Sequence, residues 1–127
     1  MLEDFRTLLL GATAPGVSVS WNERPQASGL PAVLLTVVSS DTAYTYAGPV
    51  SVTRDRVQVD IYADSYAKAV EVDRALVLIA SGFRGVVGGT RFLAVLIESR
   101  FDTAEAADGE AALHRISRDF MVSHKEL

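Results

Sequence analysis

The sequence predicts an α+β fold: a single, mostly antiparallel (mixed) sheet of about five strands, with two helices packed on one face. In residues 56–85 the hydrophobic period changes from two to about 3.6 without a break, so a strand leads directly into a helix. Strands also follow one another along the chain on both sides of this helix, which favours antiparallel hairpins over a doubly wound parallel sheet. With 127 residues, the chain is predicted to be one domain, residues 1–127.

The N-terminal half is predicted to contain one short helix and three strands. Apolar residues at helical spacing predict the helix, and Gly11 is expected to end it. Alternating valines predict the first strand, and a run of Val and Leu that begins at Pro31 predicts the second. In order, the elements are helix 2–11, strand 16–21, loop 22–29, strand 31–39, connection 41–49 and strand 50–63.

The C-terminal half is predicted to contain the main helix and two or three strands. Asp64 or Ser65 can cap the helix that begins at Tyr66, and Gly82 can adopt the left-handed conformation that ends it. Gly88-Gly89 is expected to form a tight turn between strands. The remaining elements are the strand 91–101, the acidic loop 102–110 and the strand 111–122.

Two predicted strands are apolar on both faces, which leaves more apolar sheet surface than two helices can cover. They are residues 30–38 and 92–97; in the second, Leu93, Val95 and Ile97 are expected opposite Phe92, Ala94 and Leu96. Either the sheet curls and the connection 41–49 folds over it, or a neighbouring subunit supplies the second cover. The sequence does not decide between them.

Composition argues against several classes of partner. The net charge of −4 argues against non-specific binding to nucleic acid, which normally requires a basic patch. Without cysteine there are no disulfides or thiolate metal sites. No apolar run approaches the ~20 residues that a membrane span needs. Glu3 and Asp4 stand where a signal peptide would carry basic residues, so secretion is not expected.

Few residues in the sequence indicate catalysis, a cofactor or a metal. The glycine cluster GFRGVVGG lacks the Lys-Ser/Thr pair and the strand-before, helix-after context of a phosphate loop, so tight turns are the favoured interpretation. His114 and His124 have no second ligand at metal spacing and are expected to be surface or interface residues. The residues themselves therefore indicate neither a catalytic site nor a cofactor.

The densest charge cluster is acidic and comprises Asp102, Glu105, Asp108 and Glu110. A solvated hairpin loop is the default interpretation, because exposed loops commonly carry such charge. The spacing does not match a helix-loop-helix calcium loop. A functional interpretation is a negative loop at the lumen or axial face of a channel through which DNA passes, where repulsion of phosphates limits sticking.

A second set of candidates comprises basic and aromatic residues that could contact a neighbouring subunit or another protein. Arg118 shares a predicted strand face with Ile116 and Phe120, so it either snorkels outward, the commoner outcome, or pairs with an acid across an interface. The candidate interface residues are Tyr44, Tyr46, Arg54, Arg56 and Arg118.

The order of elements and several motifs together resemble a known family. The motifs are RVQVDIYADSYAKAVEVDRAL followed by SGFRGVVGG, the strand entry LPAV, the segment YTYAG and the last strand HRISRDFMV. With them, the chain is similar to the tail completion, or tail terminator, proteins of long-tailed bacteriophages, prophages and gene transfer agents. The resemblance covers nearly the whole chain and is strongest in residues 56–89.

The resemblance implies a structural protein of the virion, without catalytic activity and without a cofactor. Members of the family form a homo-oligomeric ring, typically a hexamer, at the head-proximal end of the tail. The ring stops polymerisation of the major tail tube protein, contacts the head-tail connector or neck protein, and lets DNA pass through its hole. Localisation would be the virion, and the host cytoplasm during assembly, with no sequence-specific nucleic-acid partner and no membrane.

Two alternatives remain from the sequence. The first is a head-closure or neck adaptor protein, which is also small and oligomeric and acts at the same junction. The second belongs to a different class, a small-ligand-binding or enzymatic domain, for which only the acidic cluster and the two histidines argue.

Overall fold

The computed structural model describes residues 1–13, 17–22, 30–45, 48–105 and 113–126, with side chains for all of these except 43–45, 48–51 and 105. The elements are α1 (Leu2–Leu10), β1 (Ser18–Trp21), β2 (Ala32–Thr45), β3 (Gly48–Ala63), α2 (Tyr66–Ala80), β4 (Gly85–Val87), β5 (Thr90–Glu105) and β6 (Leu113–Glu126). The predicted order of elements is confirmed, with three strands after α2.

The described strands form one mixed sheet in the order β1-β2-β3-β6-β5-β4, one strand more than about five. Among the strands described, β1 and β2 pair in parallel and the other neighbours are antiparallel. The Gly88-Gly89 turn between β4 and β5 is confirmed, and Gly88 has a φ of 57°, which glycine adopts readily. The predicted α+β class with a mostly antiparallel sheet therefore holds.

Both helices pack on the same face of this sheet and share one core. The Phe5 ring of α1 lies with its centroid 6.2 Å from both Phe92 of β5 and Phe120 of β6. From α2, Leu76 is 1% exposed and joins the same cluster. Burying each such side chain contributes about 1.5–3 kcal/mol. We call the opposite face of the sheet the outer face.

The strand-to-helix junction between β3 and α2 is as predicted. Ser65 caps the helix, with its hydroxyl oxygen accepting from the Lys68 backbone N–H at 3.3 Å. Beyond the helix, Gly82 has a φ of 73°, and its N–H donates to the Val95 carbonyl at 2.8 Å. This turn leads the chain into β4, which pairs with β5 on the side away from β6.

Strands β2, β5 and β6 are longer than predicted. The expected connection 41–49 is wrong for the residues described there: Asp41 and Thr42 pair with Arg54 and Thr53 of β3. Residues 102–105 likewise continue β5 rather than forming a loop. The polar run Ser39-Ser40-Asp41 predicts a strand end, but the backbone of a long neighbouring strand supplies hydrogen-bond partners whatever the side chains are. The described part of 41–49 thus lies within the sheet.

The predicted division of β5 into two faces is also wrong at its start. Phe92 and Val95 are both buried against the core, 1% and 0% exposed. A register shift between Phe92 and Ala94 inserts one extra residue into β5. The residues that follow it therefore lie on the opposite side of the sheet from the one that strict alternation with Phe92 predicts. A similar shift lies between Val37 and Ser39 in β2.

Neither of the two described helices covers the outer face, since α1 and α2 both join the core on the other face. Charged and amide side chains of β3 and β6 occupy much of it. Exposed apolar side chains remain on it in β5: Leu96 is 55% and Phe101 is 63% exposed. Among the described helices, none is long and apolar enough to cross a membrane.

Candidate functional site

Arg118 points into the molecule and pairs with an acid of its own chain. It lies on the core-facing side of β6, and its Nη2 donates to Oδ2 of Asp73 in α2 at 2.8 Å, while its Nε donates to Oδ1. Asp73 is 2% exposed. The expectation that Arg118 snorkels outward is therefore wrong, and its guanidinium is used within the fold, at the α2–sheet boundary.

The same ion pair continues toward the surface. Arg100 of β5 brings Nη1 to 3.7 Å from Oδ2 of Asp73 and donates to both carboxylate oxygens of Asp102 at 2.9 Å. The hydroxyl of Tyr66, at the first position of α2, donates to Asp102 at 2.8 Å. We call Tyr66, Asp73, Arg100, Asp102 and Arg118 the helix-side ion cluster.

Ionisation in this cluster is coupled. Its hydrogen bond from Arg100 holds the pKa of Asp102 below its ordinary value, and the Asp102 carboxylate in turn raises the pKa of Arg100. Hydrogen bonding to the same carboxylate raises the pKa of Tyr66, because a neutral hydroxyl is the donor. The two guanidinium groups balance the two carboxylates, so the cluster has no net charge. This suits a structural role in holding α2 against the sheet better than a role in binding an anion or a cation.

A second network lies on the outer face. The Nη1 atom of Arg56 lies 2.9 Å from Glu98 and 3.6 Å from Asp119, bridging β3 to β5 and β6. Asp60, only 3% exposed, accepts hydrogen bonds from Arg115 at 3.0 Å and from Gln58. Arg56, a candidate interface residue, thus already has acidic partners within the chain.

His124 is buried, contrary to the expectation of a surface or interface position. Its Nε2 lies 2.8 Å from Oδ2 of Asp55, and both residues are under a tenth exposed. In the described part of the chain, Nδ1 of His124 and Oδ1 of Asp55 have no hydrogen-bond partner. The pair ties the end of β6 to the middle of β3.

The other candidates are not brought together among the described residues. Arg54 is exposed on β3, opposite Asp41 of β2. The backbone of Tyr44 lies in β2 opposite Pro49, and Glu105 is the last residue of β5. Tyr46, Asp108 and Glu110 lie outside the described residues. Of the acidic cluster, Asp102 is held in the helix-side ion cluster rather than free in a loop.

The ranges that the structure describes hold little that is typical of a catalytic site. They contain no group of three or more His, Asp or Glu side chains placed to hold a metal ion. A shallow cavity of about 300 Å³ beside the β4–β5 turn is lined by Arg84, Gly85, Val86, Arg91, Phe92 and Leu93. This lining contains no nucleophile, carboxylate or imidazole, so the cavity has no candidate general acid or base.

Sequence reasoning missed the acidic partners of the arginines. Asp73 occupies the buried stripe of α2 with Ala69, Val72, Leu76 and Ala80. Its spacing of four from Ala69 and three from Leu76 was a usable signal, because an acid in an apolar stripe requires a buried cation. Arg118, on the inward face of β6, is the cation that this buried acid requires.

The comparisons with known proteins give a fold but no family. No protein-family model matches the chain, and no curated protein matches it. Among solved structures, a chain of the "Virion of native gene transfer agent (GTA) particle" is similar with a TM-score of 0.59 and 15% identity. The match covers 98% of this chain and 90% of that chain, so the two share one fold over nearly their whole length.

Proposed function

We propose that this chain is a structural protein of a phage-like virion, and that it caps the tail. In this proposal, copies of the chain form a ring, a hexamer by the family resemblance, at the head-proximal end of the tail tube. The ring stops polymerisation of the major tail tube protein, contacts the head-tail connector or neck protein and lets DNA pass through. The observation that best supports this proposal is the fold that 98% of this chain shares with a chain of the gene transfer agent virion.

Capping needs surfaces rather than chemistry, and the described structure is consistent with that. A ring subunit needs two different lateral surfaces, because heterologous contacts close into rings. The strands at the two edges of the described sheet, β1 and β4, are different from each other. Apolar side chains also remain exposed on the β5 side of the sheet, at Leu96 and Phe101. Among the described residues, no side-chain cluster is placed to hold a metal ion, and the cavity beside the β4–β5 turn has no general acid or base in its lining.

A head-closure or neck adaptor protein is the second candidate. The shared fold supports it equally, since the similar chain comes from a whole virion particle. Both roles place the chain at the junction of head and tail, in the virion, with the host cytoplasm as the site of assembly. A small-ligand-binding or enzymatic domain has no comparable support among the described residues.

Particles assembled without the protein separate these roles. The experiment deletes the coding sequence from the genome that produces the particles and measures tail length by electron microscopy. Over-long tails support a terminator. Tails of normal length, free beside filled heads, would instead support the adaptor, and normal particles would overturn both. Restoring the wild-type chain in trans is the control.

A further inference from the structure

Two strands of the sheet extend well past the short strands at its edges. Strand β1 pairs with β2 only from Ala32 to Leu35, and the N–H of Asn22 adds one more bond to the Leu35 carbonyl. Strand β4 pairs with β5 only from Thr90 to Phe92. In the described ranges, residues 36–45 of β2 and 96–105 of β5 therefore have a strand partner on one side only. We call them the β2 edge and the β5 edge.

Both edges have the properties of surfaces made for pairing. Each presents a row of N–H and C=O groups that can template another strand. Neither contains Pro or Lys, residues that commonly protect edge strands, although each contains a register shift, at Val37/Ser39 and Thr42/Tyr44 in β2 and at Ile97/Ser99 in β5. Of the large apolar side chains exposed on the described surface, Val38 lies on the β2 edge, and Leu96 and Phe101 lie on the β5 edge.

The two edges also match each other in length and direction. Each spans ten residues. Three successive antiparallel pairings connect β2 to β3, β6 and β5, so β2 and β5 run in opposite directions. A second copy placed beside the first by rotation about an axis along the strands would thus meet the β2 edge with an antiparallel β5 edge.

We propose that copies of this chain join head to tail, with the β2 edge of one copy pairing antiparallel with the β5 edge of the next. A two-fold pairing of β2 edges would leave the β5 edge with Leu96 and Phe101 exposed. A head-to-tail ring pairs both edges of every copy. The inference rests on the proposed function for the ring, and it adds the surfaces that build it.

The positions of the edges set the geometry of such a ring. They lie at diagonally opposite corners of the sheet. Ser40 of the β2 edge pairs with Asp55 of β3. Asp102 of the β5 edge pairs with Ile116 of β6, which in turn pairs with Ile61 of β3. Pairing them displaces neighbouring copies by about six residues along the strands, roughly 20 Å at ~3.3 Å per residue. Such stagger requires strands tilted to the ring axis, as in closed barrels.

Cross-linking between single-cysteine variants tests the pairing, because the chain contains no cysteine. Ser40→Cys places a thiol on the β2 edge and Ala104→Cys places one on the β5 edge; both positions are exposed. The variants are mixed, one carrying a size tag, and treated with a short bismaleimide while light scattering reports mass. Within one chain the two sites lie on strands separated by β3 and β6, so a short linker joins only different copies. Leu78→Cys, 87% exposed on α2, replaces either partner as the control.

The expected result is a covalent dimer in the mixture of Ser40→Cys and Ala104→Cys, and none from either variant alone or with Leu78→Cys. Dimers from Ser40→Cys alone would indicate two-fold pairing and overturn the proposal. Oligomers that resist cross-linking at these sites would overturn the edge pairing while leaving the ring intact. A chain that stays monomeric at every concentration would also overturn it, and tail length would still judge the proposed function separately.

Discussion

Arg118 in β6 and Asp73 in α2 form a two-point ion pair beneath the main helix, with Nη2 of the arginine 2.8 Å from Oδ2 of the acid. Two-point arginine–carboxylate contacts fix geometry as well as charge. A shift of β6 by one residue would turn Arg118 to the outer face and leave Asp73 buried without this partner. The pair therefore specifies both the register of β6 and the position of α2 over the sheet.

Removing either member of this pair is expected to destabilise the fold, and unequally. Asp73→Leu leaves Arg118, largely buried, without its carboxylate, at a cost of about 3–5 kcal/mol. Arg118→Leu costs less, because Arg100 lies 3.7 Å from Asp73 and remains as a partner. The measurement is the free energy of unfolding in urea.

The double variant with Leu at both positions provides the matched control. Replacing a whole buried ion pair by apolar side chains is often close to neutral, so it should recover much of the stability lost by Asp73→Leu. Single variants within about 1 kcal/mol of wild type, with no recovery in the double variant, would contradict the assigned role.

The turn between β4 and β5 provides a second test with an internal control. Gly88 has a φ of 57°, and a Cβ there would overlap Oδ1 of Asp4, whose Oδ2 accepts from the Thr90 hydroxyl at 2.6 Å. Gly88→Ala is expected to cost about 2–3 kcal/mol from backbone strain and the disturbed hydrogen bond. Gly89→Ala, where a Cβ would meet open space, should stay within about 0.5 kcal/mol. Equal losses of thermal stability in both would refute this account of the turn.

The helix-side ion cluster predicts an unusual tyrosine titration. The Asp102 carboxylate raises the pKa of Tyr66 above its ordinary value of 10.0, so Tyr66 should ionise at higher pH than a free tyrosine. Ultraviolet absorbance titration of wild type minus Tyr66→Phe isolates this group. In Asp102→Asn the pKa of Tyr66 should fall back toward its ordinary value; an unchanged pKa would show that the contact does not form.

The same contacts give stability two pH limits. The pKa of Tyr66 is raised, so its contribution is complete below about pH 10 and is lost as pH rises through the raised pKa. The pKa of Asp102 is lowered, so its contribution is present above about pH 4 and is lost as pH falls through the lowered pKa. Thermal unfolding of Asp102→Asn should show a weaker dependence at both limits.

The fold was predictable where local chemistry and tertiary structure agree. Ser65 has the hydroxyl that caps α2, and Gly82 lacks the Cβ that would disfavour the left-handed turn after the helix. Gly88-Gly89 likewise favours the turn between β4 and β5. The length of β2 was not predictable, because Ser39, Ser40 and Asp41 favour a loop locally and are extended by pairing with β3.

The polar partners were hard to predict for a different reason. The inward orientation of the Arg118 side chain depends on Asp73, which is 45 residues away in sequence. The two residues meet because α2 packs on β6. In β5, one extra residue near Phe92 exchanges the two faces, and no residue type in that segment signals such a bulge. Long-range pairing and register shifts therefore account for most of the differences.

The acidic residues Glu105, Asp108 and Glu110, at the end of β5 and after it, are predicted to serve the assembled particle rather than the fold. Asp102 must be kept, since it bonds Arg100 and Tyr66. Reversing the charge of Glu105, Asp108 and Glu110 to Lys should leave thermal unfolding unchanged while impairing assembly or DNA passage, because added positive charge attracts phosphates. Exchanging the same residues for Gln is the milder control. Infectious particles at wild-type yield from the Lys variant would remove this segment from the lumen or axial face.

The central claim is that this chain ends a growing tube. Its most direct measurement is the length distribution of tail tubes polymerised from the matching tube protein, with and without the purified chain, by electron microscopy. The account predicts that the chain, added at a small fraction of the tube subunit concentration, binds one end of each tube and stops growth there. Tubes that keep growing at both ends, with a length distribution unchanged by saturating amounts of the chain, would contradict it.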